Sequence, residues 1–480
     1  MVPAVDARVQ ERPAVAPSEA TRRTRSVYDV PVKAPIAVVV CCLFGCASSE
    51  STHGVPDLTA PTGGGDMAMS PPDLTTCMPN TMQCTGDALV VCGADGGTPQ
   101  TTQCPFGCST SGAGPHCQTL VPTTPVIGGD LTIPGLTPVM LSATSYVFDT
   151  ATGAIHDGAG TVVRDANLSV SPGAMAEVHQ GIAFHTIEAN FVIWTFGDLT
   201  VGSGAQVVFK GGARVALASE QGMSIGGVID VRGYDFSGAT PVLCAGGVGG
   251  PGGGAGGAAT MRGGPAGAGG AGSVSGGGGG GDGDVGGNGG GATMGGAVRG
   301  TQTLSGGVVF AGAGGGGPTG VGGGAGGGLQ LVALGPVVID VSAGARGGID
   351  LGGCGGRAGG GGGGAAGELL IEAASVEVRA RGAIAANGGG GGGTAADGQP
   401  GDLTAAAAMP GAGGGAGGVT GSLAGAASAT AGGGGGSGRI RFSTRSGSVT
   451  IDSAAVVSPG LADKDSMQQA TVTAGVALVQ

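Results

Sequence analysis

Residues 329–351 read LQLVALGPVVIDVSAGARGGIDL, three short phrases in which apolar residues alternate with others: Leu329-Gln-Leu331, Val337-Val-Ile339 and Ile349-Asp-Leu351. Alternation of period two puts the apolar side chains on one face of an extended chain, and a turn every six to eight residues leaves no room for a helical pattern. The same triplet recurs. Upstream it is Val215-Ala-Leu217, Met223-Ser-Ile225 and Ile229-Asp-Val231; downstream it is Leu369-Leu-Ile371, Val376-Glu-Val378 and Ile384-Ala-Ala386. A fourth copy starts with Ile440-Arg-Phe442 and Val449-Thr-Ile451. Trp194-Thr-Phe196, Leu199-Thr-Val201 and Val207-Val-Phe209 supply an earlier set with larger side chains, and residues 147–170 read as a cap.

No copy can bury its own apolar face, so the copies must stack. The expected fold class is all-β: a right-handed parallel β-helix-like repeat with long glycine-rich insertions, preceded by a small disulfide-rich module. An antiparallel β-sandwich with glycine-rich loops is the alternative. The insertions follow the third phrase of each copy, at about 238–328, 352–367 and 387–438, as if leaving from one corner.

Between Gly238 and Gly438, 83 of 201 residues are glycine, and Phe310 is the one aromatic residue there. Glycine is costly to order and offers no side chain to bury. Two states fit such blocks. Extended polyglycine runs of three-residue period can pair N–H with C=O between neighbours, or the blocks can be flexible surface loops.

With 3% aromatic and 11% charged residues the 480-residue chain lacks the means to build several ordinary cores. A net charge of −12 and only three lysines, Lys33, Lys210 and Lys464, argue against sequence-independent nucleic-acid binding.

Residues 34–44 (APIAVVVCCLF) form an apolar run too short to span a bilayer, preceded by Arg22, Arg23, Arg25 and Lys33 and followed by Leu43-Phe44-Gly45-Cys46. This pattern resembles a bacterial lipoprotein signal, although Phe44 departs from the small residue usual there. The resemblance implies cleavage before Cys46 and lipidation of its thiol, hence a membrane partner through the lipid. Ala47 in place of Asp implies transfer to the outer membrane. The region before the apolar run is longer than export needs, so translation is expected to begin near Val30 or Val32.

Six cysteines, Cys77, Cys84, Cys92, Cys104, Cys108 and Cys117, fall within 41 residues, which in an exported chain reads as three disulfides with 15 connectivities open. A zinc site using Cys104, Cys108 and His116 is the rival reading. Cys244 and Cys354 follow the third phrase of successive copies and are candidates for a fourth bridge. The expected organisation is therefore a signal segment at 1–46, a Ser/Thr/Pro/Gly tether at 47–76, the cysteine module at 77–117 and a linker at 118–140. Cap and first rungs at 141–237 and the glycine-rich repeat at 238–480 complete it.

Motifs of catalysis do not accumulate. The chain has no Gly-Lys-Ser/Thr and no H-E-x-x-H, and matches to G-x-G-x-x-G mean nothing at this glycine content. The calcium nonapeptide nearly forms around Gly279–Val285 but misses in every frame. Glu177-x-His179 with His185-x-x-Glu188 is a weak metal candidate, because on one extended strand His179 and His185 would share a face. Asp230 and Asp350 occupy matching places in two copies, with Ala385 in the third. They are read as solvated strand positions.

As a whole the chain resembles glycine-rich, repeat-bearing surface lipoproteins of Gram-negative bacteria. The texture of 238–438 is similar to that of PE-PGRS proteins in composition only, since the PE domain is missing. The expectation is a non-catalytic, lipid-anchored scaffold or adhesin of the cell surface with no cofactor, meeting matrix, extracellular polysaccharide or other cells, with a periplasmic or secreted location as the alternative. A β-helical polysaccharide lyase or hydrolase is the alternative function, and a metal-dependent binding module the second.

Overall fold

The computed structural model describes residues 77–480 apart from 113, 170, 239, 259, 265–268, 299–310, 318–320, 341–346, 420–426, 428–429 and 465–470. The signal segment, Cys46 and the tether lie outside the described residues. The protein is all-β, and the helical elements among the described residues are three short 3-10 turns. None is long and apolar enough to cross a membrane.

The body consists of three sheets. The first has eight strands, in spatial order Glu177–His179, Ile182–Glu188, Phe191–Phe196, Arg214–Ser219, Leu329–Ala333, Glu368–Ala373, Arg439–Thr444 and Val472–Val476. The second has six, Thr450–Ile451, Ser375–Val378, Pro336–Ile339, Met223–Ile225, Asp198–Val201 and Pro138–Leu141. The third has eight, Val456–Ser458, Gly382–Ala385, Gly347–Asp350, Val228–Asp230, Gln206–Lys210, Ser145–Asp149, Ile155–Asp157 and Val162–Arg164. From Phe191 to Ser458 the chain visits first, second and third sheet in that order five times over, starting a sixth round at Val472.

From Pro138 onward the strands of successive rounds pair in parallel. Among the described residues antiparallel pairing of strands, the basis of the sandwich alternative, is confined to the cysteine module, the N-terminal strands of the first and third sheets and one small hairpin, Tyr234–Asp235 with Val242–Leu243, with isolated antiparallel bridges at Leu120–Val479 and Gly289–Thr293.

Register explains why the alternating phrases were legible. Trp194, Leu217, Leu331, Ile371 and Phe442 stand opposite one another along the first sheet, and Val207, Ile229, Ile349, Ile384 and Val457 along the third. These columns face a shared core in which all but Val457 are buried. A shift of one residue would turn every column outward, so burial enforces the register. At the N-terminal end the core is closed by Trp194, Phe148, Phe184 and Phe209, whose ring centroids lie 4.8–6.3 Å apart where they meet. The buried Arg164 guanidinium donates to the carbonyls of Ile182, Gly153, Asp165 and Glu177, which satisfies backbone acceptors where the stack stops.

The described runs of the glycine insertions are ordered, and their hydrogen bonds repeat every three residues. Gly277 and Gly280 donate to the carbonyls of Gly360 and Gly363, both at 2.8 Å. Between them Gly278 donates to Ala271 and Gly279 to Gly287. Gly433 and Gly436 donate back to Gly277 and Gly280, and Gly353, Gly356 and Gly359 donate in step to Asn387, Gly390 and Gly393. Three successive amides thus address three neighbouring runs, and the fourth returns to the first. This is the three-residue period of the polyproline II conformation, with pairing between runs in place of solvent.

All three insertions connect the third sheet to the first, so their runs leave from the same corner and can lie side by side. Only a residue without Cβ tolerates that spacing: a methyl at Gly363 would run into the carbonyl of Gly389 and the amide of Gly435. Gly363→Val is expected to cost about 3 kcal/mol through forced separation of the runs. The exposed Gly212, which faces open space, should accept alanine with a change of about 0.5 kcal/mol or less. Urea unfolding of the two variants checks this, and equal midpoints would contradict close packing.

The cysteine module sits against the body. Phe106, Leu120, Val126 and Leu131 pack with Phe191, Ile193, Ala216, Ala218, Val332 and Ala477, a second core on the outer face of the first sheet. Residues 118–140, read as a linker, hold three of those side chains and supply the strand Pro138–Leu141. Thr119 and Gln480 exchange backbone hydrogen bonds at 2.9 and 3.0 Å, so Gln480 is fastened to the segment that follows the cysteine module. Thr123 donates through its amide and hydroxyl to the buried Glu372, which also accepts from Gln330.

Candidate functional site

The polar residues singled out by sequence fall into three places. Glu177 and His179 form one pair, with His179 Nε2 3.3 Å from Glu177 Oε2. His185 Nε2 lies 3.3 Å from Asp130 Oδ1, and Glu188 Oε2 lies 3.6 Å from Arg214 Nη2. The shared face expected for His179 and His185 does not exist, because Gln180 and Gly181, both at positive φ, make a two-residue turn.

The turn folds Glu177–His179 back on Ile182–Glu188 with His179 opposite Ile182. Across that hairpin, residues of the same parity point to opposite faces, so His185 goes outward with Ala183 and Ile187 while Ile182 and Phe184 enter the core. Among the described residues no three His, Cys, Asp or Glu side chains converge as a metal site.

Asp230 and Asp350 do stand opposite each other, with Ala385 and Ser458 continuing the row. They are not solvated. Their exposures are 0% and 2%, because the third insertion lies across the corner, where Arg232 Nη1 donates to the Gly401 carbonyl at 3.2 Å. Arg232 joins the two acids: Nε and Nη2 reach the Asp230 carboxylate at 2.9 and 2.6 Å, and Nη1 lies 3.2 Å from Asp350 Oδ2. Tyr234 donates its hydroxyl to Asp230 at 2.6 Å, and Gln206 donates to both Asp230 and Tyr234. Gly352 N–H completes the shell of Asp350 at 3.0 Å.

Two carboxylates and one guanidinium in a buried space leave one negative charge in excess. Burial, reinforced by the charge of Asp230 and opposed by Arg232, pushes the Asp350 carboxyl up to about 7. Burial also raises the Tyr234 phenol, and the neighbouring Asp230 carboxylate adds to that, so this hydroxyl remains a donor. The folded state then holds a proton that the unfolded chain releases near pH 4. Stability contributed by this group is present below the unfolded pKa and is lost as pH rises toward the folded pKa. Relative to Asp350→Asn, the native protein is expected to lose roughly 2–3 kcal/mol between pH 5 and pH 8. Urea unfolding of both proteins across that range measures it. A constant difference would rule out the buried proton.

No family model matches the chain, nor does any curated protein or solved structure. Its chemistry therefore rests on its own residues.

All eight cysteines expected to pair are paired: Cys77 with Cys92, Cys84 with Cys108, Cys104 with Cys117 and Cys244 with Cys354, with Cα–Cα distances of 5.1–5.7 Å. The zinc reading of Cys104, Cys108 and His116 has no thiols left to use, and the His116 imidazole hydrogen-bonds to the Gly114 carbonyl. Asp282 and Asp284 of the calcium near-match are fully buried in the glycine layer, where Asp284 N–H donates to the Ser437 carbonyl.

Sequence reasoning did not find Arg232, Tyr234 or Gln206. The signal available was Asp230-x-Arg232-x-Tyr234, a charged and aromatic phrase at the mouth of an insertion.

Proposed function

We propose that this protein is a non-catalytic, lipid-anchored scaffold of the cell envelope, whose body is a right-handed parallel β-helix carrying a polyglycine bundle along one corner. The coil reading is supported by the fixed order in which the chain visits three sheets and by the parallel register of successive rounds. The observation that carries the scaffold reading is the glycine bundle itself. Its amides are spent on one another, so the longest insertions of the chain form a stiff, nearly side-chain-free body in place of catalytic loops.

The lyase or hydrolase alternative would use acidic residues in a groove along the stack. Asp230 and Asp350, the pair suited to that role, are held under Gly401 by Arg232 and have no access to a sugar. Lipidation at Cys46 would tether the body to the outer membrane through residues 47–76, with matrix, glycans or other cells as partners.

Protease shaving of intact, live cells tests the assignment, with mass spectrometry for peptides from 119–480 and a periplasmic protein as leak control. Released peptides without leakage are expected. Full protection would place the body in the periplasm and overturn the surface role. Release of shortened sugars from an acidic or neutral polysaccharide by the purified protein would overturn the non-catalytic one.

A further inference from the structure

Outside the first sheet, next to the second core, lies a cavity of about 630 Å³ that the scaffold role does not use. Its walls include Ile133, Pro134, Val178 and Ile187, and Ile127 and Met175 stand at its rim with exposures of 59% and 89%. Into this apolar space project two polar side chains, Asp130 and His185, which are 8% and 12% exposed and paired at 3.3 Å. Asp130 Oδ2 is engaged by the Ile127 amide at 2.8 Å, while Oδ1 has only the long contact to His185. His185 Nδ1 is buried with no hydrogen-bond partner. Burial raises the Asp130 carboxyl and lowers the His185 imidazole, each opposed by the charge of the other.

A buried polar pair with unused hydrogen-bonding capacity costs free energy that apolar packing would have avoided. A space of several hundred Å³, apolar with few convergent polar groups, is the form of a small-molecule site. We propose that this cavity binds a small molecule with an apolar, preferably aromatic body and a single N–H or O–H head that donates to Asp130. The concave form favours a small ligand over a flat protein partner, and the Asp130 carboxylate at its polar end sets the polarity of the head. The site is independent of the scaffold reading, and its failure would leave that reading unchanged.

The test uses the full, oxidised chain and N-phenyl-1-naphthylamine, an apolar fluorophore with one N–H. Saturable binding is expected. Ala176→Trp and Ala174→Trp, which fill the cavity without removing a side-chain hydrogen bond, should each weaken binding at least about tenfold while leaving the thermal midpoint unchanged. Should one of them fail to fold, the other serves.

1-Benzylnaphthalene, in which a methylene replaces the N–H, should compete roughly tenfold more weakly, the worth of a hydrogen bond to a charged group. Asp130→Asn should shrink that ratio. No saturable binding, binding untouched by both tryptophan variants, or a ratio unchanged in Asp130→Asn would each overturn the proposal.

Discussion

Replacing Arg232 by methionine is expected to destabilise the protein by about 3–5 kcal/mol at pH 8. The substitution keeps much of the side-chain volume but leaves Asp230 and Asp350 facing each other on adjacent strands without a counter-charge. Desolvation of those carboxylates has already taken place in the fold, so losing the cation exposes its full cost. It also removes the donor to Gly401 that fastens the third insertion over the corner.

The sign with pH follows. Without Arg232 the Asp350 carboxyl is pushed further up, and its protonation on acidification relieves the repulsion, so the loss should shrink toward pH 5. Adding Asp230→Asn and Asp350→Asn to the variant should recover most of the stability, since the charges then vanish together. Urea unfolding at pH 5 and pH 8 measures all three proteins. An Arg232→Met protein as stable as the native one at pH 8 would mean that the acids are neutral without the arginine, and the cluster would lose its role as a fastener.

The second large effect belongs to Cys244–Cys354. This bridge closes a loop with a sequence separation of 110, which contains residues 245–328 of the first glycine insertion, and no other described disulfide lies within that loop. In the chain-entropy account a loop of this length restricts the unfolded state by about 4–5 kcal/mol. Cys244→Ala with Cys354→Ala is therefore expected to lower stability by that amount, several times more than removal of an exposed ion pair such as Arg357–Asp397.

Location sharpens the expectation. Cys354 is fully buried among glycine runs, where its amide donates to Gly324 and its carbonyl accepts from Gly364. Losing the bridge should thus loosen the bundle before the sheets. Limited proteolysis should first cut within 238–328, and the urea midpoint should fall. An unchanged midpoint together with unchanged cleavage would sink the claim that the bridge holds the first insertion.

The sheets were legible because their strands carry side chains that alternate. Val215, Leu217, Met223, Ile225 and Ile229, and their counterparts at 329–349 and 369–384, mark a core face by period alone, and the structure puts every one of them in the core. Cysteine count and spacing likewise foretold bridges. Spacing could not choose among connectivities, because pairing depends on how Met82–Thr85, Ala88–Val91 and Gln100–Gln103 fold together.

The polar sites were legible in part. Asp230 and Asp350 were correctly placed opposite each other, but their burial depends on Gly401, which lies 51 residues beyond Asp350 in the chain. His179 and His185 were put on one face because the Gln180-Gly181 turn was overlooked, and a turn reverses the parity rule on which that reading stood.

By itself, then, the sequence determined the all-β class, the core columns, the corner from which the insertions leave and the cysteines that pair, since each is written in side chains with a period or a count. Only the tertiary structure decided that the described glycine runs are ordered, that Asp230 and Asp350 are buried and that His185 faces a cavity. The reason is physical: glycine has no side chain by which a face can be read. Its order comes from backbone hydrogen bonds between runs far apart in sequence, which exist only once the three insertions lie side by side.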